Sequence, residues 1–121
     1  RYQMDGASKA ENSLMTIADN GGGIGFVFGD PVTDWQHIDF QNHRIDLWVS
    51  GGAPADNFLG DMRCVPAEAA ADLVNHLAHR GEVLEAGHFI STGAASVPQP
   101  FGGGDVVHAD FGVLGTIELW F

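Results

Sequence analysis

Along the chain, apolar positions recur with two different spacings. One stretch has the helical spacing: Ala70, Leu73, Val74 and Leu77 fall at i, i+3, i+4 and i+7 and make a single apolar stripe. Pro66 suits the first turn of that helix, and Glu68 and Asp72 favour its start. His79 and Arg80 favour its end, and Gly81 fits the position just past it. The spacing predicts a helix over 66–80. Elsewhere the period is two. Ile38 and Phe40 alternate with Asp39 and Gln41; after a turn at Asn42-His43, Ile45, Leu47 and Val49 alternate with Arg44, Asp46 and Trp48, which predicts a hairpin over 36–50. Val106, His108 and Asp110 alternate with Val107, Ala109 and Phe111. Past a glycine-bounded turn at 112–115, Ile117, Leu119 and Phe121 alternate with Thr116, Glu118 and Trp120, a terminal antiparallel pair. The short apolar runs 24–28 and 87–92, each closed by glycine, read as buried strands, and residues 1–16 as weakly structured or extended, with Leu14, Ile17 and Ala18 starting a short buried turn. The expected class is mainly β (α+β), a single domain with one packed helix.

Composition narrows the function. The 121 residues carry 5 Lys and Arg against 16 Asp and Glu, a net charge of −11, which disfavours nucleic acid and anionic membrane surfaces as partners. At 45% hydrophobic and 17% charged, the chain is not a disordered acidic tail. No apolar run is long enough to span a membrane, no signal peptide is visible, and a single cysteine, Cys64, fits a reducing, cytoplasmic setting. Seventeen glycines suggest a turn-rich fold. Arg1 in place of an initiating Met reads as a processed piece or part of something longer.

Several groupings offer chemistry. The glycine run 21–25 precedes a strand instead of opening a helix, so it reads as a tight turn needing positive φ, or else as backbone that approaches a ligand closely, and not as a phosphate loop. His76 and His79, at i, i+3, are either half of a metal site or a solvated helix face. His108 and Asp110 share a strand face and could be a general base with its orienting carboxylate, although side chains two apart on a strand are not ideally placed to bond; Asp110 and Glu118 either line a cavity across the terminal hairpin or belong to an acidic surface. Cys64 reads as a small buried hydrophobe. Ser91-Thr92-Gly93 ends a strand at glycine, a geometry that presents a hydroxyl and backbone N–H groups to a small ligand.

The order of these features resembles one family. Ile17-Ala18-Asp19-Asn20-Gly21 followed by Phe26-Val27-Phe28-Gly29 is similar to its "I-A-D-N-(small)…F-V-L-G", and Leu59-Gly60-Asp61 to its "L-G-D-P". The helix from Ala70 to Leu77, with Asn75, resembles "A-V-x-W-L-A-N-x-L". Gly81, Leu84, Gly87 and Ile90 through Gly93 match "G-x-x-L-x-A-G-x-x-I-L-T-G". Gly104-Asp105-Val106 and the stretch from Phe111 to Ile117 look like the closing "G-D-x-V…F-G-x-L-G-S-V-x-V-x-F". The family is that of 2-keto-4-pentenoate hydratase and 2-oxo-3-hexenedioate decarboxylase, in the fumarylacetoacetate hydrolase superfamily.

The resemblance implies the C-terminal half of a mixed β-sandwich or roll, with Arg1-Tyr2 similar to the end of the family's "E-I-V-D-S-R-Y". It implies a divalent metal, Mg2+ or Mn2+, whose ligands and acid–base partners all precede Arg1, so no metal ligand or catalytic residue is carried over. What is carried over is pocket wall: Asn20 and Gly21, and Thr92 with Gly93. The implied function is a lyase acting on a 2-hydroxy-2,4-dienoate or 2-oxo-enoate through a metal-stabilised enolate, as a hydratase first and a decarboxylase second. An acylpyruvate-type C–C hydrolase and a non-catalytic binding or assembly subunit are the other readings. The expected partners are the small 2-oxo or 2-hydroxy acid, the chain's own N-terminal half or a paralogous chain, and further copies of itself. Glycines at 21–23, Ala94 where the family often has Ser, and residues inserted before Ala18 and between Asp61 and the helix depart from the pattern and enlarge or soften the pocket.

Overall fold

The computed structural model describes residues 8–18, 23 and 25–121. Its elements are a helix α1 (Lys9–Ala18), a strand β1 (Asp46–Val49), a second helix α2 (Pro66–His79), and strands β2 (Val106–Asp110) and β3 (Thr116–Trp120). The strands form one antiparallel sheet in the order β1-β2-β3. The terminal pair is as the alternation predicts: β2 and β3 are joined through a short 3-10 turn, Gly112–Leu114, with Gly112 and Gly115 at φ of 60° and 99°, where only glycine sits without strain. Register sets Trp48 opposite His108 and His108 opposite Glu118. Since side chains alternate, one face carries Asp46, Trp48, His108, Asp110, Thr116 and Glu118. The other carries Leu47, Val49, Val107, Ala109, Ile117 and Leu119.

Several expectations are corrected. The fold is α+β with two helices, not mainly β with one: the helices take ten and fourteen residues, the strands four, five and five. The described residues make a single three-stranded sheet. The helix predicted over 66–80 ends at His79, with Gly81 at φ 74° past it, but none of its residues is buried and it is not packed closely on the sheet. Residues 25–28 and 87–92 are not strands, and the hairpin over 36–50 fails, because 36–37 and 40–42 are turns and β1 pairs with β2 instead. A period of two makes a strand only where a neighbour completes its ladder, and these stretches have none among the described residues. The N-terminal region is not extended. Ser8 and Glu11 form a reciprocal cap, the Ser8 N–H and hydroxyl each donating to Glu11 Oε2 at 2.8 Å, and this starts α1. The same hydrogen bonds, the backbone one foremost, hold the Glu11 carboxyl below its usual range. Leu14 and Ile17 lie 66% and 73% exposed on that helix, not in a buried turn.

Loops are gathered by Arg63, one of only two buried residues among those described, with Ala55. Its Nη1 donates to the carbonyls of Phe40 (2.9 Å) and His43, and its Nη2 to the carbonyl of Ala95 (2.8 Å) and, at 3.5 Å, to Asn57 Oδ1. Asn57 in turn behaves as an added strand residue beside β1: its side chain accepts from the Ile45 N–H at 2.7 Å and donates to the Ile45 carbonyl at 2.8 Å. Thus 40–45, 57 and 95 are tied together by side chains, alongside an isolated antiparallel bridge between Asn57 and Ser96.

Candidate functional site

Of the wall residues expected from the sequence, Asn20 and Gly21 lie outside the described residues. Thr92 and Gly93 lie inside them and line a cavity of about 160 Å3 with Phe40, His43, Ile45, Arg63, Cys64 and Leu114. The Arg63 bonds to Phe40, His43 and Ala95 hold the two sides of this cavity together. Cys64 is exposed, not a buried hydrophobe, and its thiol donates to the Thr92 carbonyl at 2.7 Å. Gly93 has φ 136°, and a Cβ there would stand 3.1 Å from the Cys64 sulfur. Glycine is required at this point both by the backbone and by the close approach of the thiol. His43 closes another side, its Nε2 bonded at 2.7 Å to the Phe111 carbonyl.

A second cavity, about 220 Å3, lies on the polar face of the sheet and is lined by Trp48, His108, Asp110, Thr116 and Glu118. Asp110 and Glu118 line it together. The pairing proposed for His108 is corrected: its Nδ1 meets Glu118 Oε2 at 2.8 Å across the strands, while Asp110 accepts the Gly112 N–H at 2.8 Å. Directly opposed residues on antiparallel strands stand closer than neighbours two apart on one strand, so register decides the partner. The imidazole also stacks on Trp48, centroids 5.2 Å apart and planes 12° from parallel.

A larger hollow, about 730 Å3, is an open, mostly apolar groove between 26–32 and the start of β3. It offers little chemistry beyond Asp30 and Thr116, so size and chemistry disagree, and the Thr92 cavity is the better candidate because arginine, thiol, hydroxyl and imidazole converge there. His76 and His79 are exposed on α2, and no group of three His, Cys, Asp or Glu able to hold a metal occurs among the described residues. Arg63 was not anticipated; a lone arginine between Met62 and Cys64 carries no sequence signal of burial.

Comparison with known proteins gives two matches. The chain is 29% identical over 106 residues to the 2-oxo-hept-4-ene-1,7-dioate hydratase of Escherichia coli, covering 88% of this chain and 40% of that protein. It is 26% identical over 108 residues to the 4-oxalocrotonate decarboxylase of Pseudomonas sp. (strain CF600), covering 89% of this chain and 41% of that protein. The chain thus spans about two fifths of the length of these relatives. No protein-family model matches it, and no solved structure does. The two matches point to the hydratase and decarboxylase family of the fumarylacetoacetate hydrolase superfamily, as the motifs suggested.

Proposed function

We propose that this chain forms one wall of the substrate pocket of a lyase that hydrates a 2-hydroxy-2,4-dienoate or its 2-oxo-enoate tautomer. The observation that carries this reading is the Thr92-Gly93 element, which lines a cavity with Arg63 and Cys64 in a chain matched to a hydratase and a decarboxylase. The Thr92 hydroxyl is available to bind an oxygen of the acid. Gly93 lets the backbone come close, and Phe40, Ile45 and Leu114 keep that side of the pocket apolar. Decarboxylation of a related 2-oxo acid is the second reading, favoured by the match to the decarboxylase. The implied Mg2+ or Mn2+ does not fit the described residues, which bring no three ligating side chains together, and no step on a metal is assigned to them.

The wall needs a complement. A folded monomer of 12.9 kDa exposes about 6,300 Å2, whereas this chain exposes 9251 Å2. Phe26, Phe28 and Phe89 pack on one another, centroids 4.7–4.9 Å apart, yet each is half or more exposed. A polypeptide equivalent to the rest of the relatives' length, or a paralogous chain, is the partner in this reading.

The test is a spectrophotometric assay of 2-hydroxypenta-2,4-dienoate hydration on the purified material with Mg2+ or Mn2+ added, alongside denaturing mass spectrometry. Activity in material holding a second polypeptide, falling about tenfold in kcat/KM for Thr92→Val, supports the reading. Material that holds the second polypeptide and still hydrates no dienoate sinks it.

A further inference from the structure

The polar side chains that converge on the Thr92 cavity are mostly spent on the chain itself. The Arg63 Nη groups donate to the carbonyls of Phe40, His43 and Ala95 and to Asn57 Oδ1, and its Nε is buried, with no surface to offer a ligand. The Cys64 thiol donates to the Thr92 carbonyl. His43 Nε2 donates to the Phe111 carbonyl, so in the neutral ring Nδ1 is an acceptor. Among the described residues this leaves the Thr92 hydroxyl as the lining side-chain donor not already bonded within the chain. The rest of the lining is carbon: Phe40, Ile45, Pro66, Ala94 and Leu114. A carboxylate drawn in here loses its hydration and gains no counter-charge, which is costly, whereas an apolar group gains by leaving water. At about 160 Å3 the cavity matches the roughly 150 Å3 hollow between leucine, isoleucine and phenylalanine side chains that suffices to bind benzene.

We infer that this cavity selects an uncharged hydrocarbon tail, up to the size of a benzene ring, and rejects a charged one. The inference rests on the proposed function for its place in catalysis, and deepens it: the acid meets this wall with an apolar end, not with a second carboxylate. Phe40, Ile45 and Leu114 are then the residues that determine specificity. The Escherichia coli relative is named for a 1,7-dioate, which carries a carboxylate at each end. The selectivity inferred here sets this chain apart from a hydratase of diacids.

Toluene, benzoate and benzylammonium carry one ring with a neutral, a negative and a positive substituent. Each is titrated into the purified chain while the methyl resonances of Ile45, Thr92 and Leu114 are followed, since a ring seated in the cavity shifts all three. Toluene should shift them at a concentration at least about tenfold below that needed for either ion. The field of an acidic chain favours benzylammonium over toluene, so rejection of both ions belongs to the cavity. Either ion acting at as low a concentration as toluene overturns the inference, and so does toluene that moves none of the three methyls. Leu114→Lys sets an ammonium on the wall and should turn the preference about tenfold towards benzoate; should that variant fold poorly, the three titrations of the parent chain decide alone. In turnover, 2-hydroxyhexa-2,4-dienoate should exceed 2-hydroxyhexa-2,4-dienedioate, its analogue with the end methyl replaced by a carboxylate, by about tenfold in kcat/KM. A preference for the diacid overturns the inference. Because the titrations need no turnover, selective toluene binding in material that hydrates no dienoate condemns the proposed reaction and leaves the selectivity of the cavity standing; hydration with equal binding of benzoate does the reverse.

Discussion

The sheet and the Arg63 junction hold the chain together in opposite ways. In the sheet each strand meets its neighbour in register, and side-chain contacts are pairwise: His108 with Glu118, His108 on Trp48, Ser50 with Asp105. Such half-exposed pairs contribute roughly 0.2–1 kcal/mol each, and losing one leaves the backbone ladder in place. At the junction one side chain is bonded to 40, 43, 57 and 95, backed by an isolated antiparallel bridge between Asn57 and Ser96 instead of a full ladder. Stability is distributed in the first region and concentrated in the second, and the candidate site lies in the second.

The comparison breaks most sharply at Arg63. Arg63→Met keeps the bulk but strands the Phe40 and His43 carbonyls, and should cost about 3–5 kcal/mol, read as a lower urea midpoint with the sheet amides exchanging last. Retention of the parent midpoint would show that the loops do not depend on this residue. Next comes Gly93→Ala, which combines φ 136° with a Cβ 3.1 Å from the Cys64 sulfur and should cost about 1–3 kcal/mol. In a Cys64→Ala background the crowding disappears and the backbone strain stays, so the cost should fall without vanishing. An unchanged cost would mean that the sulfur plays no part.

The smallest effect belongs to the sheet. Asp105 accepts the Ser50 hydroxyl at 2.7 Å and the Gly102 N–H at 2.8 Å, and these hydrogen bonds, Ser50's first, hold its carboxyl below the usual range. A carboxyl depressed by folding stabilises the fold at pH above its unfolded value, 3.8, and that contribution is lost as the pH falls through the lower folded value. Asp105→Asn should therefore be less stable than the parent at neutral pH and equal to it in strong acid. A gap that persists at low pH would assign the effect to shape instead of charge.

What could be read in advance was local. α2 shows through its stripe, its Pro66 and its Gly81, and the β2–β3 hairpin through alternation broken by glycines, because both patterns are closed over neighbouring residues. The stretches 25–28, 36–41 and 87–92 have a strand's composition, but composition does not name a partner, and β1 takes β2 from far along the chain. The Ser8-to-Glu11 spacing was a readable helix start that three scattered apolar residues obscured. At the site, Thr92-Gly93 was legible as a strand-end glycine. Arg63 was not, because burial of a single arginine is decided by loops distant in sequence.

The strand order carries a consequence for how the molecule assembles. β2 and β3 are separated by one short turn, whereas β1 joins β2 only when Asp46 comes to lie beside Asp110, closing a loop that includes all of α2 and the Thr92 segment. Loop closure of that length is entropically expensive, and a hairpin forms in microseconds. The C-terminal hairpin should therefore form first and β1 join it later, an order that pulsed amide-exchange labelling during refolding would show. The cavity between Phe40, Cys64 and Gly93 likewise joins segments far apart in sequence, so it should take shape after the hairpin.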